Sequence, residues 1–364
     1  MKKKRVVVIG LKGLPAFGGA AAVGENIVNQ LKGEYDFTVL SISTHTDLPS
    51  GEYNGVKQVV FKSIIGKKSG LNTAYYYFVS LLYVLFHKFD IAHLHHASSG
   101  FIAPLISLKC KLILTVHAYG EGNDPKFSRL LNYLGMASRR LAVSAAHKVT
   151  AVSLFDIENM SKVFKKEIIY IPNGTNLVEA TTAKSDECEP YILFSAGRIY
   201  NIKGLDLLLD AANKLGLDLK IKVAGDIDRV PSYKAEMLKK AESLNVELLG
   251  LIKDKGELMR IVSGAELFVF PSRYEAMSMM LLEVASMRTP IVASDIPANT
   301  NILSSEEVLF FTNGDSEDLA QKMEYALSRM NEMQERTHKA YDKLITKYTW
   351  NKIAQQYSAV YEQV

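Results

Sequence analysis

Residues 191–204 read Tyr191-Ile192-Leu193-Phe194-Ser195-Ala196-Gly197-Arg198-Ile199-Tyr200-Asn201-Ile202-Lys203-Gly204, and they decide the fold. An apolar run of strand character, Tyr191–Ala196, ends at a glycine, and Leu205–Lys214 beyond it has helical periodicity. The same order opens the chain, where Arg5–Ile9 runs into Gly10 and Ala20–Leu31 is helical. A strand that passes into a helix through a glycine-rich turn is the first unit of a doubly wound parallel sheet. The chain contains that opening twice.

Outward from these two points the pattern continues. In the first half, strands are expected at Phe37–Ser43, Val56–Phe61, Asp90–Leu94, Lys111–Val116, Lys148–Val152 and Ile168–Ile171, with helices at Leu71–His87 and Phe127–Ala146. After residue 190, strands are expected at Leu219–Ala224, Val246–Leu249, Leu267–Phe270, Ile291–Ala293 and Val308–Phe311. Helices are expected at Ser232–Ser243, Lys255–Ser263, Met279–Met287 and Asp315–Ser328, and two more close the chain. Strands this short and this apolar belong to a parallel sheet covered on both faces. The polar stretch 181–189 has no apolar period and reads as a linker. The expected fold is α/β, with two Rossmann-like doubly wound parallel-sheet domains, residues 1–180 and 190–348, facing a central cleft. A length of 364 residues suits two such domains.

Composition narrows the class. Hydrophobic residues make up 48% and charged residues 23%, the balance of a globular enzyme. The net charge of +4 is uneven: residues 1–190 hold 22 Lys+Arg against 15 Asp+Glu, and the remainder 21 against 24. A basic first half favours an anionic partner. Two cysteines, Cys110 and Cys188, form neither a disulfide framework nor a metal cluster, so a reducing cytoplasm is the expected location. Val6–Gly10 after the basic start is too short for a signal segment. The most apolar stretch, Leu71–Phe89, is borderline in length for a membrane span and reads as a largely buried or interfacial helix.

Five constellations carry candidate chemistry. The turn Gly10–Gly19, with Gly18 and Gly19 entering a helix, exposes backbone N–H groups suited to phosphate, yet it lacks the G-x-G-x-x-G dinucleotide fingerprint, which disfavours a dehydrogenase. Gly197-Arg198 and Lys203-Gly204 put a planar guanidinium and a compact ammonium where a strand gives way to a helix, and a diphosphate is the natural guest. In Phe270–Glu283, Ser278 is a candidate N-cap and two glutamates, Glu275 and Glu283, stand eight residues apart. At ~1.5 Å per residue that spacing is roughly 12 Å, enough to grip two parts of one elongated ligand. Glu283 falls in an apolar run and needs a partner. His93, His95, His96 and His117 end neighbouring strands; the metal reading is weak because no partner cysteine or H-E-x-x-H accompanies them, and His117 is the one expected to face the cleft. Asp226-Ile227-Asp228 matches a metal-binding D-x-D only formally and reads as a turn.

These residues together resemble family 4 of the retaining GT-B glycosyltransferases over nearly the full length. Glu275 and Glu283 match its E-x7-E motif, Gly197-Arg198 with Lys203-Gly204 its diphosphate motif, and Gly18-Gly19 its phosphate loop. Ala151-Val152-Ser153 and Ile171-Pro172-Asn173-Gly174 resemble the endings of its N-domain. The resemblance implies that Arg198 and Lys203 neutralise a leaving diphosphate and that Glu283 holds the ribose. It implies that Glu275 binds the donor sugar with backbone N–H groups near Ser278, Met279 and Met280, and that His117 approaches the sugar. The base is expected near Gly250-Leu251-Ile252, and a C-terminal helix opened by Trp350 (350–364) crosses back onto the N-domain. Where the family often has an acid just after Gly-Gly, this chain has Ala20-Ala21-Ala22 and a later Glu25. Ala276–Met280 also replaces the usual Gly and Pro, which leaves the sugar unnamed.

The expected reaction is a retaining, metal-independent transfer from a nucleoside diphosphate sugar, with UDP-sugar favoured over GDP-sugar and no cofactor. The expected acceptor is a glycan or lipid-linked glycan in cell-surface polysaccharide assembly. The basic first half and Leu71–Phe89 point to peripheral contact with the inner face of the cell membrane; no nucleic-acid partner is expected. The competing readings are a sugar-nucleotide epimerase or hydrolase of the same fold and an inactive donor-binding partner subunit.

Overall fold

β1 (Arg5–Lys12) is the strand around which the first sheet is built: Val6 to Ile9 are fully buried, and parallel neighbours pair with it on both sides. The computed structural model describes residues 2–16, 18–65, 70–96, 99–119, 129–177 and 189–364. Phe17, Gly120, the expected helix start at Phe127, and linker residues 181–188 with Cys188 lie outside the described residues. After β1 come α1 (Gly19–Leu31), β2 (Asp36–Ile42), β3 (Gly51–Tyr53), β4 (Val56–Phe61), α2 (Gly70–Phe86), β5 (Ile91–Leu94) and α3 (Ala103–Ser107). They are followed by β6 (Lys111–Val116), α4 (Arg129–Ala145), β7 (Lys148–Ala151), α5 (Leu154–Ser161) and β8 (Ile168–Tyr170). The sheet order is β3-β4-β2-β1-β5-β6-β7-β8, and every pairing is parallel except that of β3 with β4. Right-handed crossovers in one direction along the sheet place α2, α3 and α4 on the same face.

The sheet reverses at β1, and the turn after it is held from below. Gly10 has φ 117°, and a Cβ there would lie 3.3 Å from the His95 backbone. Its N–H donates to the hydroxyl of fully buried Tyr76 at 2.9 Å, and that hydroxyl donates to Leu40 O at 2.8 Å. One side chain of α2 therefore ties β1 to β2 at their carboxyl ends.

The second sheet begins with β9 (Tyr191–Arg198), followed by α6 (Leu205–Leu215), β10 (Lys220–Asp226), α7 (Pro231–Lys240), β11 (Val246–Gly250), α8 (Lys255–Gly264) and β12 (Leu267–Phe270). α9 (Met279–Ser286), β13 (Ile291–Ser294), α10 (Pro297–Thr300), β14 (Leu309–Phe311), α11 (Ser316–Ser328) and α12 (Met330–Lys347) complete it. The order is β11-β10-β9-β12-β13-β14, all parallel, so the chain reverses direction at β9. α6, α7 and α11 cover one core around Phe194, Leu208 and Met323.

The last helix, α13 (Trp350–Glu362), packs on α1. By compactness the chain divides into Met1–Asn173 with Trp350–Val364, and Gly174–Thr349. Thr175 already belongs to the second unit: its N–H donates to Tyr348 O at 2.8 Å. In the first unit, Tyr357 and Tyr361 of α13 are fully buried. Tyr361 meets Tyr35 edge-on at 5.1 Å and hydrogen-bonds His93 Nδ1 at 2.7 Å.

Replacing Tyr76 with Phe leaves the Gly10 N–H and the Leu40 carbonyl without this partner while changing little volume. Urea unfolding of Tyr76→Phe is expected to show a loss of about 1–3 kcal/mol; an unchanged midpoint would remove this hydrogen bond from the account.

Candidate functional site

The two strand-to-helix loops at the carboxyl ends of β9 and β12 are pressed together in the second unit. Gly204, with φ 73°, caps α6, and a Cβ on it would lie 2.0 Å from Pro271 O. Only glycine permits both the left-handed backbone and this approach. Arg273 N donates to Ile202 O at 2.8 Å, and the Arg273 guanidinium takes both Asp206 oxygens at 2.9 and 2.6 Å and Asn201 O at 2.6 Å. Burial pushes the Asp206 carboxyl up, but Arg273 and the Tyr233 hydroxyl outweigh it and hold it below the usual range. Neither Asp206 nor Arg273 was marked by sequence; their link spans 67 residues and no short motif records it.

This clamp sets the candidate residues in place. Lys203 Nζ donates to Glu275 Oε1 at 2.6 Å, and Ser272 Oγ donates to the same oxygen at 2.9 Å. The structure thus brings together two residues that sequence reasoning named from separate motifs. Arg198 is exposed at the end of β9, and its side chain makes no hydrogen bond or ion pair with the described residues. Gly197 is also exposed, with open space where a Cβ would be. Ser278 is the N-cap of α9, and its Oγ accepts from Leu281 N at 3.4 Å. Met279 and Met280, in the first turn, are half-buried.

Glu283 lies on the second turn of α9, and its carboxylate is paired with Lys255, the first residue of α8. Burial raises the Glu283 carboxyl above the usual range, and Lys255 only partly offsets it. Lys255 was missed by sequence, because an exposed lysine on another helix has no signature there. Ile252 is half-buried in the loop after β11, where Gly250 has φ 67°. Asp226 acts in a turn: its Oδ1 accepts from Asp228 N at 3.2 Å, and its Oδ2 binds Arg229 at 2.7 Å.

The remaining candidates belong to the first unit. Gly18, at φ 102°, and Gly19 open α1 with no side-chain cap and with free space around both. Glu25 folds back so that Oε2 accepts from Ala16 N at 2.9 Å, bracing the loop before α1. His93 is a core residue, its Nε2 against Thr115 Oγ1 at 2.7 Å, and burial together with His117 pushes it down to about 3. Half-buried His117 contacts His95 Nδ1 through Nε2 at 3.2 Å. Burial and the neighbouring imidazoles His95 and His96 hold His117 well below the usual range, so it is neutral at physiological pH. Among the described residues, the second ring nitrogen of His95 is buried without a hydrogen-bond partner. Among the described residues, no group of three or more His, Cys, Asp or Glu could hold a metal ion.

Two family models match in succession. Glycosyltransferase family 4 covers residues 17–179, and glycosyl transferases group 1 covers residues 178–343. The chain belongs to the family 4 glycosyltransferases. Among relatives of this family, the phosphatidyl-myo-inositol mannosyltransferase of Mycobacterium leprae is 28% identical over 209 residues, 54% of each chain. The UDP-Gal:alpha-D-GlcNAc-diphosphoundecaprenol alpha-1,3-galactosyltransferase of Escherichia coli is 26% identical over 248 residues, 60% of this chain and 61% of that one. The matches therefore span between 54% and 61% of these relatives. Sucrose-phosphate synthase from Thermosynechococcus elongatus superposes with a TM-score of 0.84 at 17% identity, over 99% of both chains. Anabaena HepE in complex with UDP-glucose gives 0.79 at 15% identity, over 100% of both. The shared architecture is the GT-B fold.

The position of Glu283 has a consequence for stability. Its proton is held more tightly in the folded chain than in the unfolded one. The stability from this group is fully present below the ordinary glutamate range and is lost as pH rises through the raised value. Glu283→Gln is expected to unfold at a higher temperature than the parent at neutral pH, with the gap closing as pH falls into the ordinary glutamate range. A gap of constant size across that range would contradict the assignment.

Proposed function

We propose that this family member is a retaining, metal-independent glycosyltransferase that moves a sugar from a nucleoside diphosphate sugar, a UDP-sugar in preference to a GDP-sugar, to a hydroxyl of a glycan or lipid-linked acceptor. The observation that carries the reading is the pairing of Lys203 with Glu275 beside exposed Arg198, in loops locked by Gly204 and Arg273. The barrier to such a transfer is departure of the diphosphate from a cationic sugar centre, and preorganised positive charge is the strongest lever on it. Arg198 is available for phosphate oxygens, and Lys203 is already fixed within the loop pair. Its charge balances Glu275 before the donor arrives; a bound diphosphate takes over as its counter-ion and leaves Glu275 free to accept from sugar hydroxyls. The first-turn N–H groups of α9, at Met279 and Met280, add the positive end of a helix dipole.

Glu283 fits the ribose role because a buried carboxylate with one cationic partner has acceptor capacity left for hydroxyl groups. Neutral His117 can donate or accept a hydrogen bond to a neutral sugar. The uridine preference is supported by the UDP-Gal of the Escherichia coli relative's name and the UDP-glucose of the HepE complex. The lipid-linked acceptor, and with it a place in cell-surface polysaccharide assembly, is supported by the diphosphoundecaprenol and phosphatidyl-inositol named for two relatives.

The test is donor binding by calorimetry with UDP-glucose, UDP-galactose and GDP-mannose, followed by transfer assays with the donor that binds. Lys203→Ala and Glu275→Ala are each expected to lower turnover by about 10²–10³ while the protein remains folded. The product anomer, read by NMR, is expected to match the donor, and chelator is expected to leave the rate unchanged. Near-normal turnover in both variants, or an inverted product, would overturn the proposal.

A further inference from the structure

α2 is apolar all round, yet only one side of it is buried. Tyr76, Tyr77, Leu81 and Val84 face the core, while on the opposite side Leu71 is 73% exposed, Phe78 56% and Phe86 83%. A helix that is hydrophobic on every side is ordinarily enclosed. The neighbouring helices repeat the pattern. Phe101 and Leu108, at the two ends of α3, are 57% and 85% exposed, and on α4 Leu130 and Tyr133 are both 66% exposed. The three helices form one surface. α3 touches both α2 and α4, and Gly100 sits so close to α4 that an added Cβ would lie 1.6 Å from Ser138 O. Large apolar side chains exposed on three packed neighbouring helices mark an interaction surface.

The charge around that face selects its occupant. α2, α3 and α4 contain no Asp or Glu. From residue 70 to 111 the one acid is Asp90, and it is held by Arg5 at 3.0 Å. The charges that flank the apolar side chains are cations: Lys88 just beyond α2, Lys109 just beyond α3 and Arg140 on α4, all exposed. Aromatic and aliphatic side chains bordered by Lys and Arg, on three helices that themselves carry no acid, suit an anionic lipid surface. A second copy seated on this face by a two-fold axis would set cation against cation, which disfavours self-association. Among the described residues no helix is long and apolar enough to cross a membrane.

The geometry points to the outer face of α2, α3 and α4 as a membrane-docking surface that takes an anionic bilayer, with Phe86 and Leu108 entering the acyl boundary and Lys88, Lys109 and Arg140 meeting lipid phosphates. It deepens the lipid-linked acceptor reading but does not use the donor site. An enzyme held on this face would meet its acceptor in two dimensions.

The experiment is co-sedimentation of the full chain with vesicles of phosphatidylcholine alone and of phosphatidylcholine mixed with phosphatidylglycerol, at low and high salt. Two variants, Phe86→Glu with Leu108→Glu, and Lys109→Gln with Arg140→Gln, are compared with the parent. These side chains are exposed, so circular dichroism and UDP-glucose binding are expected to be unchanged. The parent is expected to sediment with the phosphatidylglycerol vesicles and not with phosphatidylcholine alone. Each variant is expected to lose roughly tenfold or more in vesicle affinity, and salt is expected to weaken the parent more than the Gln variant. Failure of the parent to sediment, equal binding by the variants, or a parent dimer that Phe86→Glu with Leu108→Glu dissociates without any vesicle binding would overturn the assignment. Loss of UDP-glucose binding in Lys203→Ala with vesicle binding intact keeps this surface separate from the donor site.

Discussion

The carbonyl of Pro271 occupies the space in which a side chain at residue 204 would begin. That contact brings the ends of two neighbouring parallel strands to backbone distance, and the candidate chemistry of the second unit depends on it. With the loops so close, one guanidinium, that of Arg273, can grip Asp206 while its own backbone N–H holds Ile202. The partly buried pair is useful chiefly for geometry, since the desolvation of two charges offsets much of their attraction. What it fixes is the distance between Lys203 and Glu275, two side chains 72 residues apart in sequence.

Both glutamates of the E-x7-E motif are paired with a lysine from another element, but their circumstances differ. Glu275 is held by Lys203 and by Ser272, inside a rigid frame. Glu283 is largely enclosed on a short helix and held by Lys255, whose side chain is 55% exposed. Burial outweighs that partner. A carboxyl whose charged form is disfavoured by its surroundings is common where recognition rather than packing sets the residue.

The two sheets were legible because each begins with an apolar strand, a glycine and a helix, and because parallel strands carry a continuous apolar signal. β3 was not legible: Gly51-Glu52-Tyr53 is a three-residue antiparallel edge, with Gly51 and Glu52 exposed, too short to show alternation. α3 has five residues and falls below any helical period. Ser278 as the cap of α9 could be named from local chemistry, since a serine before an apolar run has few other uses at that position. Lys255 and Arg273 could not, because what matters about them is a partner brought close only by folding. α2 was legible only in part. Its sequence predicts a largely buried or interfacial helix, and only the placement of its neighbours separates the enclosed side from the exposed one.

The return of α13 to the first unit also orders events in time. A ribosome delivers residues 5–173 well before Trp350–Glu362, with the whole second unit made in between. Until then the first sheet lacks Tyr357 and Tyr361, and the imidazole of His93 lacks the hydroxyl that meets its Nδ1. Domains generally fold in order of synthesis. Here the first to emerge is the last to be completed, and the nascent chain carries an unfinished hydrophobic seam beside α1 throughout the making of its second half.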